Sequence, residues 1–269
     1  MRLRDLVPAF DGFVIDQYGA LHDGVAPYPG AVEALAAIRA AGKRAVLVTN
    51  SGKSAAANER RLVRLGFARD LYVEVVSSGE AARLGMTDGA FGPAFAAGSK
   101  VHVVGRSGDD YGLERFAVVP AELAQAQALL ILGSDAPRTS LDDYAARLKP
   151  AADRRLPALC ANPDLRMLTP EGQQPAPGAI AAVYERLGSP VVYVGKPHPL
   201  IYAIAARALA GVEPGKILAV GDSPLHDLAG AAKAGFATAL VRTGLSAGRA
   251  DDELKRAGPV APDYVLDGP

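Results

Sequence analysis

Four segments, far apart in the chain, carry side chains whose types and settings suit moving a phosphoryl group. Asp16 ends an apolar run in FVIDQYGALHDG (13–24), and Gly19 frees the backbone just beyond it. A carboxylate at a strand tip can attack phosphorus, forming an acyl phosphate and dividing one hard transfer into two easier ones. RAVLVTNSG (44–52) ends its apolar run in Thr49 and Asn50, small polar groups able to donate to phosphoryl oxygens where a loop enters a helix N-terminus. VVYVGKPHP (191–199) sets Lys196 directly after an apolar run and Gly195. A compact positive charge there suits a transferring phosphoryl group. KILAVGDSPLHDLAGAAKAG (216–235) puts Asp222 after a strand and a glycine, with Asp227 five residues later. Carboxylates so spaced suit Mg²⁺, which needs only a few of them beside water and phosphate oxygens. Asp222 reads as the metal ligand and Asp227 as a carboxylate orienting Lys196 or bound water. Each segment alone also fits a plainer role: Asp16 capping a turn, Thr49-Asn50 and Asp227 capping helices.

These residues meet only if the elements behind them share one sheet edge. Short β-branched runs alternate with alanine-rich amphipathic stretches: strands at 13–16, 44–49 and 73–76, helices at 29–41, 54–65 and 79–84. The middle is less regular, with strands at 101–104, 127–132 and 158–161, helices at 141–148 and 178–187, and Gly/Pro-rich breaks at 87–93 and 170–178. The rhythm then resumes with strands at 191–194, 217–220 and 237–241 and helices at 200–209 and 225–234. The pattern predicts an α/β fold: a doubly wound parallel-sheet core of residues 1–80 and 190–269, with a smaller α/β module, 81–189, inserted. Strand carboxyl ends form the ligand-binding edge of such a sheet, so separate segments converge there. No GxGxxG follows the first strand, which excludes the dinucleotide-binding variant.

Composition narrows the function classes. At 269 residues and 49% hydrophobic content the chain can bury one large core and a second module. Basic and acidic residues number 29 each, and no Lys/Arg tract could track a phosphate backbone, so neither nucleic acid nor membrane is an expected partner. The single cysteine, Cys160, precludes an intrachain disulfide, and a reducing, cytoplasmic compartment fits best. No run approaches the apolar length of a spanning helix, and residues 1–10 lack a signal-peptide core.

The four segments, in this order, resemble the haloacid dehalogenase (HAD) superfamily of phosphohydrolases. The GKP triplet, the GDSxxxxD run and the large insertion resemble its class IIA, the p-nitrophenylphosphatase-like members. The resemblance implies a Rossmann-like core carrying an α/β cap that excludes water and reads the leaving group. It further implies a Mg²⁺-dependent phosphatase acting on a small phosphorylated metabolite through an aspartyl-phosphate. Asp16 would be the nucleophile, Thr49 the phosphoryl-binding hydroxyl and Lys196 the neutralising ammonium. The metal would lie on Asp16, the Tyr18 carbonyl and Asp222, with Asn50 and Asp227 in support. In the insertion, LCANPDL (159–165) resembles the segment facing substrate, which makes Asn162 and Asp164 candidates for substrate binding. Similar proteins form homodimers through their caps, so a homodimer is also implied.

One position departs from the pattern. The family's first motif carries a second Asp, a general acid and base, where this chain has Tyr18. A tyrosine can donate a proton but, with a pKa near ~10, is a poor base near neutrality. General acid–base help is typically worth roughly 10² to 10⁴ in rate. Three consequences stand open: a substrate with a good leaving group, an alternative acid in His22 or Asp23, or slow hydrolysis of the aspartyl-phosphate. The last leads to a second reading, a phospho-ligand binding or regulatory protein with weak turnover.

Overall fold

The computed structural model describes residues 1–169 and 172–269. In chain order its strands are β1 (Gly12–Asp16), β2 (Arg44–Thr49), β3 (Val75–Ser77), β4 (Lys100–Val104), β5 (Val119–Pro120), β6 (Ala128–Ile131) and β7 (Ala158–Cys160). There follow β8 (Arg166–Thr169), β9 (Gly172–Pro175), β10 (Val191–Tyr193), β11 (Ile217–Gly221), β12 (Ala237–Val241) and β13 (Tyr264–Leu266). The chain divides into two compact units. One comprises Met1–Thr49, Asn58–Val76 and Lys196–Pro269; the other comprises Asn50–Ala57 and Ser77–Gly195.

The first unit is built on a six-stranded sheet in the order β13-β12-β11-β1-β2-β3. β1 lies between β11 and β2 and pairs in parallel with both, Phe13 standing opposite Leu218 and Ala45. Every residue of β1 is buried, the signature of a central parallel strand covered on both faces. From β1 the chain runs outward through β2 to β3, and later returns on the other flank as β11, β12 and β13. The strand order therefore reverses at β1, and the carboxyl end of that strand is the crevice where such sheets bind ligands. Helices obey the same logic. Ala31–Ala40 buries Ala31, Ala34, Leu35 and Ile38, one face at helical spacing. Pro199–Ala208 opens on a proline, whose missing N–H costs nothing there, and buries Ile201, Tyr202, Ile204 and Ala205.

The second unit holds a five-stranded sheet, β10-β7-β6-β4-β5, and a two-stranded antiparallel sheet, β8-β9. Leu129, Ile131, Tyr144, Leu148, Ala158, Ile180 and Tyr184 form its core, and the buried Tyr184 hydroxyl donates to the Leu156 carbonyl at 2.8 Å. Helix Leu141–Asp153 starts in a reciprocal cap, Ser140 and Asp143 each accepting from the other's backbone N–H.

Three sequence expectations need correcting. The sequence rhythm places the run at 191–194 in the returning core, but β10 pairs with β7, Val191 opposite Ala158, and the second unit extends to Gly195. A short β-branched run does not carry the identity of its sheet, and both units here are parallel. The break expected at 170–178 begins at Pro170, which with Glu171 lies outside the described residues; from Gly172 it forms β9 and then helix Pro177–Arg186. The helix expected at 225–234 starts instead as a π turn, Pro224–Leu228, before the α-helix Ala229–Lys233. Short β5 and β13 and helix Asp251–Arg256 had no periodic run long enough to announce them. Among the described residues no helix is long and apolar enough to cross a membrane.

Candidate active site

Asp16 is the last residue of β1, and the strand's register carries its side chain to the sheet's carboxyl edge beside Val48 of β2. Thr49, buried, ends β2 one residue further on. Asp222 follows β11 directly, on the other side of β1. Three neighbouring strands thus deliver two carboxylates and a hydroxyl to one edge.

Lys196 completes the arrangement without standing at the end of a core strand. Its ammonium donates to Asp16 Oδ1 at 2.5 Å and to Asp227 Oδ1 at 2.7 Å. Asp227 comes from the π turn, and its second oxygen accepts from the Ser223 N–H at 3.0 Å. This carboxylate fills the space that a Cβ on Gly221 would need, which explains a glycine immediately before Asp222. The Tyr202 hydroxyl reaches the carbonyls of His226 and Asp227 at 2.8 and 2.9 Å. The helix that follows Lys196 thereby secures the π turn that carries Asp227.

Asp222 is held from a segment that sequence reasoning missed. Its Oδ2 accepts from the Leu245 N–H at 2.6 Å, and its carbonyl accepts from the Ser246 hydroxyl at 2.8 Å. Thr243 Oγ1 donates to the Gly19 carbonyl at 2.6 Å, tying the same loop to the segment after Asp16. The available signal was a small-polar run, Thr243 to Ser246, placed at a strand end like the four motifs. Gly19, at φ +93°, lies so close that an added Cβ would overlap the Asp222 carboxylate. Gly19→Ala is expected to cost about 1–3 kcal/mol of stability from strain and overlap. Urea unfolding checks this; an unchanged midpoint would count against the packing of Gly19 on Asp222.

The electrostatics follow from one ammonium among three buried carboxylates. Ligand oxygens of Asp16, Asp222 and Asp227 lie within 4.8 Å of one another. Burial pushes the Asp16 carboxyl well up; Lys196 opposes this, while Asp227 and Asp222 reinforce it. Burial, then Asp227, pushes Asp222 up to about 7, against the Leu245 N–H. Burial works against the charge on Lys196, but Asp16 and Asp227 outweigh it and hold the ammonium well above its usual range. The cluster is short of positive charge, and an added divalent cation would reverse the upward shifts.

The remaining sequence candidates fall elsewhere. Tyr18 is 42% exposed, its ring edge-on to His22 with centroids 5.9 Å apart. Burial of part of that ring, with Asp23 and Asp222 nearby, raises its hydroxyl further above 10. The alternative acids are not supported. Asp23 Oδ1 accepts from the N–H groups of Val25 and Ala26, both at 2.8 Å, which lowers its pKa. His22 is buried, accepts from the Gly24 N–H at Nδ1 (3.0 Å), and is pushed down to about 4 by burial and Arg61. Asn50, Asn162 and Asp164 belong to the second unit. There Asn50 Nδ2 donates to Asp164 Oδ1 at 2.8 Å, Ser78 Oγ donates to Asn50 Oδ1 at 3.3 Å, and Asn162 Oδ1 accepts from the Asp164 N–H at 3.0 Å. Asp164 is thus engaged in holding Asn50.

This geometry has relatives. A family model described as haloacid dehalogenase-like hydrolase matches residues 13–117, and one described as HAD-hydrolase-like matches residues 193–268. Mouse (Mus musculus) chronophin is 31% identical over 252 residues, covering 91% of this chain and 85% of that protein. The chain belongs to the haloacid dehalogenase-like hydrolases. Two solved structures share its fold. The p-nitrophenyl phosphatase from Archaeoglobus fulgidus is 26% identical with a TM-score of 0.78, covering 97% of each chain. A glycerol phosphate phosphatase from Mycobacterium tuberculosis, in complex with magnesium, is 27% identical with a TM-score of 0.76, covering 98% of this chain and 77% of that one. The HAD hydrolase described here is a class IIA phosphatase with a parallel α/β core and an inserted α/β unit. Its core presents Asp16, Lys196, Asp222 and Asp227 as one buried group, with Thr49 on the adjoining strand end.

Proposed function

We propose that this phosphatase hydrolyses a small phosphorylated metabolite in two steps, with Asp16 as nucleophile and a divalent cation, Mg²⁺, as cofactor. The observation that carries the reading is the Lys196 ammonium clasped between Asp16 and Asp227 at a strand-end crevice. Lys196 holds the attacking carboxylate in one rotamer and supplies positive charge where the phosphoryl group passes. Asp227 orients Lys196. Thr49 donates its hydroxyl to a phosphoryl oxygen.

The donor set fits a hard cation. The recorded bonds engage Asp16 at Oδ1 and Asp222 at Oδ2, so each carboxylate keeps its other oxygen outside them. Asp16, Asp222 and the Tyr18 carbonyl would hold the ion, and carboxylates short of counter-charge favour it. When bound it withdraws charge from the phosphoryl oxygens. In the first step Asp16 attacks phosphorus and the leaving oxygen departs; in the second, water releases phosphate and restores the carboxylate.

Chelated protein is expected to hydrolyse p-nitrophenyl phosphate at background rate, and added Mg²⁺ to restore turnover. Undiminished hydrolysis after chelation would overturn the metal assignment. Saturable phosphate-ester binding with no turnover on any substrate would favour a binding or regulatory protein instead.

A further inference from the structure

An ester oxygen leaving phosphorus must either carry away its negative charge or receive a proton. The family resemblance puts a proton donor on the loop following Asp16, and the fold here engages that loop's carboxyl and imidazole groups. Asp23 Oδ1 accepts from two backbone N–H groups of its own turn, an arrangement that favours the ionised carboxylate. His22 accepts the Gly24 N–H at Nδ1. That bond fixes the tautomer and leaves the ring's hydrogen on Nε2, which is buried with no partner. Tyr18 lies with its ring against His22, and a Cβ on Gly24 would meet that ring at 3.1 Å, so the side chain is laid over its own loop. Lys196 divides its hydrogens between two carboxylates. Among the described residues of this loop and cluster, every carboxyl, imidazole and ammonium already has a role in holding the fold.

We infer that this enzyme is selective for phosphate esters whose leaving group departs as a stable anion, namely aryl and acyl phosphates, and discriminates strongly against alkyl phosphates. The inference rests on the proposed role of Asp16. In the first step the Asp16 oxygen–phosphorus bond forms as the phosphorus–oxygen bond to the leaving group breaks, and the phenolate or carboxylate leaves with its electron pair. Water then adds to phosphorus, the Asp16–phosphorus bond breaks, and the water's proton passes to the released phosphate or to solvent. Neither step requires a proton held by the loop, although an alkoxide leaving group would.

The test is a leaving-group series at saturating Mg²⁺: p-nitrophenyl, phenyl and ethyl phosphate, with acetyl phosphate as the acyl member. The readout is kcat/KM, which reports the first step even when the second limits turnover. The parent is expected to favour p-nitrophenyl and acetyl phosphate over ethyl phosphate by at least the roughly 10²- to 10⁴-fold that proton donation supplies elsewhere. Tyr18→Asp should narrow that gap, chiefly by raising the ethyl phosphate value. Tyr18→Phe should keep the parent's ratio of p-nitrophenyl to ethyl phosphate, whatever happens to its absolute rates. Equal values for ethyl and p-nitrophenyl phosphate in the parent would overturn the inference and leave the role of Asp16 standing. A selective loss on ethyl phosphate in Tyr18→Phe would overturn it too, by making that phenol the donor. If Asp16→Asn keeps the parent's activity on every member, the underlying reading of the site fails as well. Because the parent series decides alone, a Tyr18→Asp protein that fails to fold does not rescue the idea.

Discussion

Asp16→Asn is expected to lower kcat for p-nitrophenyl phosphate by about 10⁴- to 10⁶-fold, the scale on which covalent catalysis fails when its nucleophile is removed. The amide keeps the size and trigonal shape of the carboxylate but has no anionic oxygen to bond to phosphorus. The variant should remain folded, because Lys196 retains Asp227 at 2.7 Å as its counter-ion. It also relieves crowding: burial and the nearby Asp227 and Asp222 make the Asp16 anion costly, with only Lys196 opposing. A carboxyl whose folded pKa is raised costs stability as pH climbs above the ordinary carboxylate range. Metal-free Asp16→Asn should therefore compare better with the parent at pH 8 than at pH 5. Steady-state kinetics with thermal unfolding at both pH values checks this. A folded variant with more than a few per cent of parental turnover would remove Asp16 from the reaction.

Lys196→Met should produce the largest combined loss. It keeps the aliphatic stem and removes the one ammonium recorded between Asp16 and Asp227. Breaking a buried ion pair from one side costs about 3–5 kcal/mol, because the partner charges stay behind uncompensated. Asp222 is already pushed up to about 7 by burial and Asp227, so its ionisation costs stability as pH rises through that value. Without the ammonium, the three carboxylates should bind protons more tightly, and the variant's deficit should grow from pH 5 to pH 8. Activity should fall by at least about 10²- to 10³-fold, the loss typical of one donor that stabilises transition-state charge. Denaturation at the two pH values in the presence of chelator, beside kcat at saturating Mg²⁺, measures both. A deficit independent of pH would mean that the carboxylates are not coupled through Lys196.

The grouping of Asp16, Thr49 and Asp222 was legible because all three stand at strand ends. Asp16 and Thr49 close runs of buried β-branched residues, and Asp222 follows Gly221, so the side chains could be placed at one edge without coordinates. Lys196 lies beside them, though not for the local reason its sequence suggests. Its preceding strand belongs to the other sheet, and its place depends on Asp16 and Asp227 rather than on strand direction. The loop carrying Thr243, Leu245 and Ser246 escaped notice because it acts partly through a backbone N–H, which has no residue type to read. His22 and Asp23 show the converse. Their side chains suit acid catalysis, but only the backbone of Gly24, Val25 and Ala26 reveals that local bonds engage them. Asp164 likewise has a type suited to reading substrate, while its oxygen accepts from Asn50.

Acid-quenched single turnover of p-nitrophenyl phosphate with Mg²⁺, followed by peptide mass spectrometry, tests the proposed chemistry most directly. One phosphoryl group, labile to hydroxylamine, should appear on the peptide bearing Asp16 within the first turnover and be absent from Asp16→Asn. Release of nitrophenol at the parental rate with Asp16 unmodified throughout would contradict a reaction passing through that carboxylate.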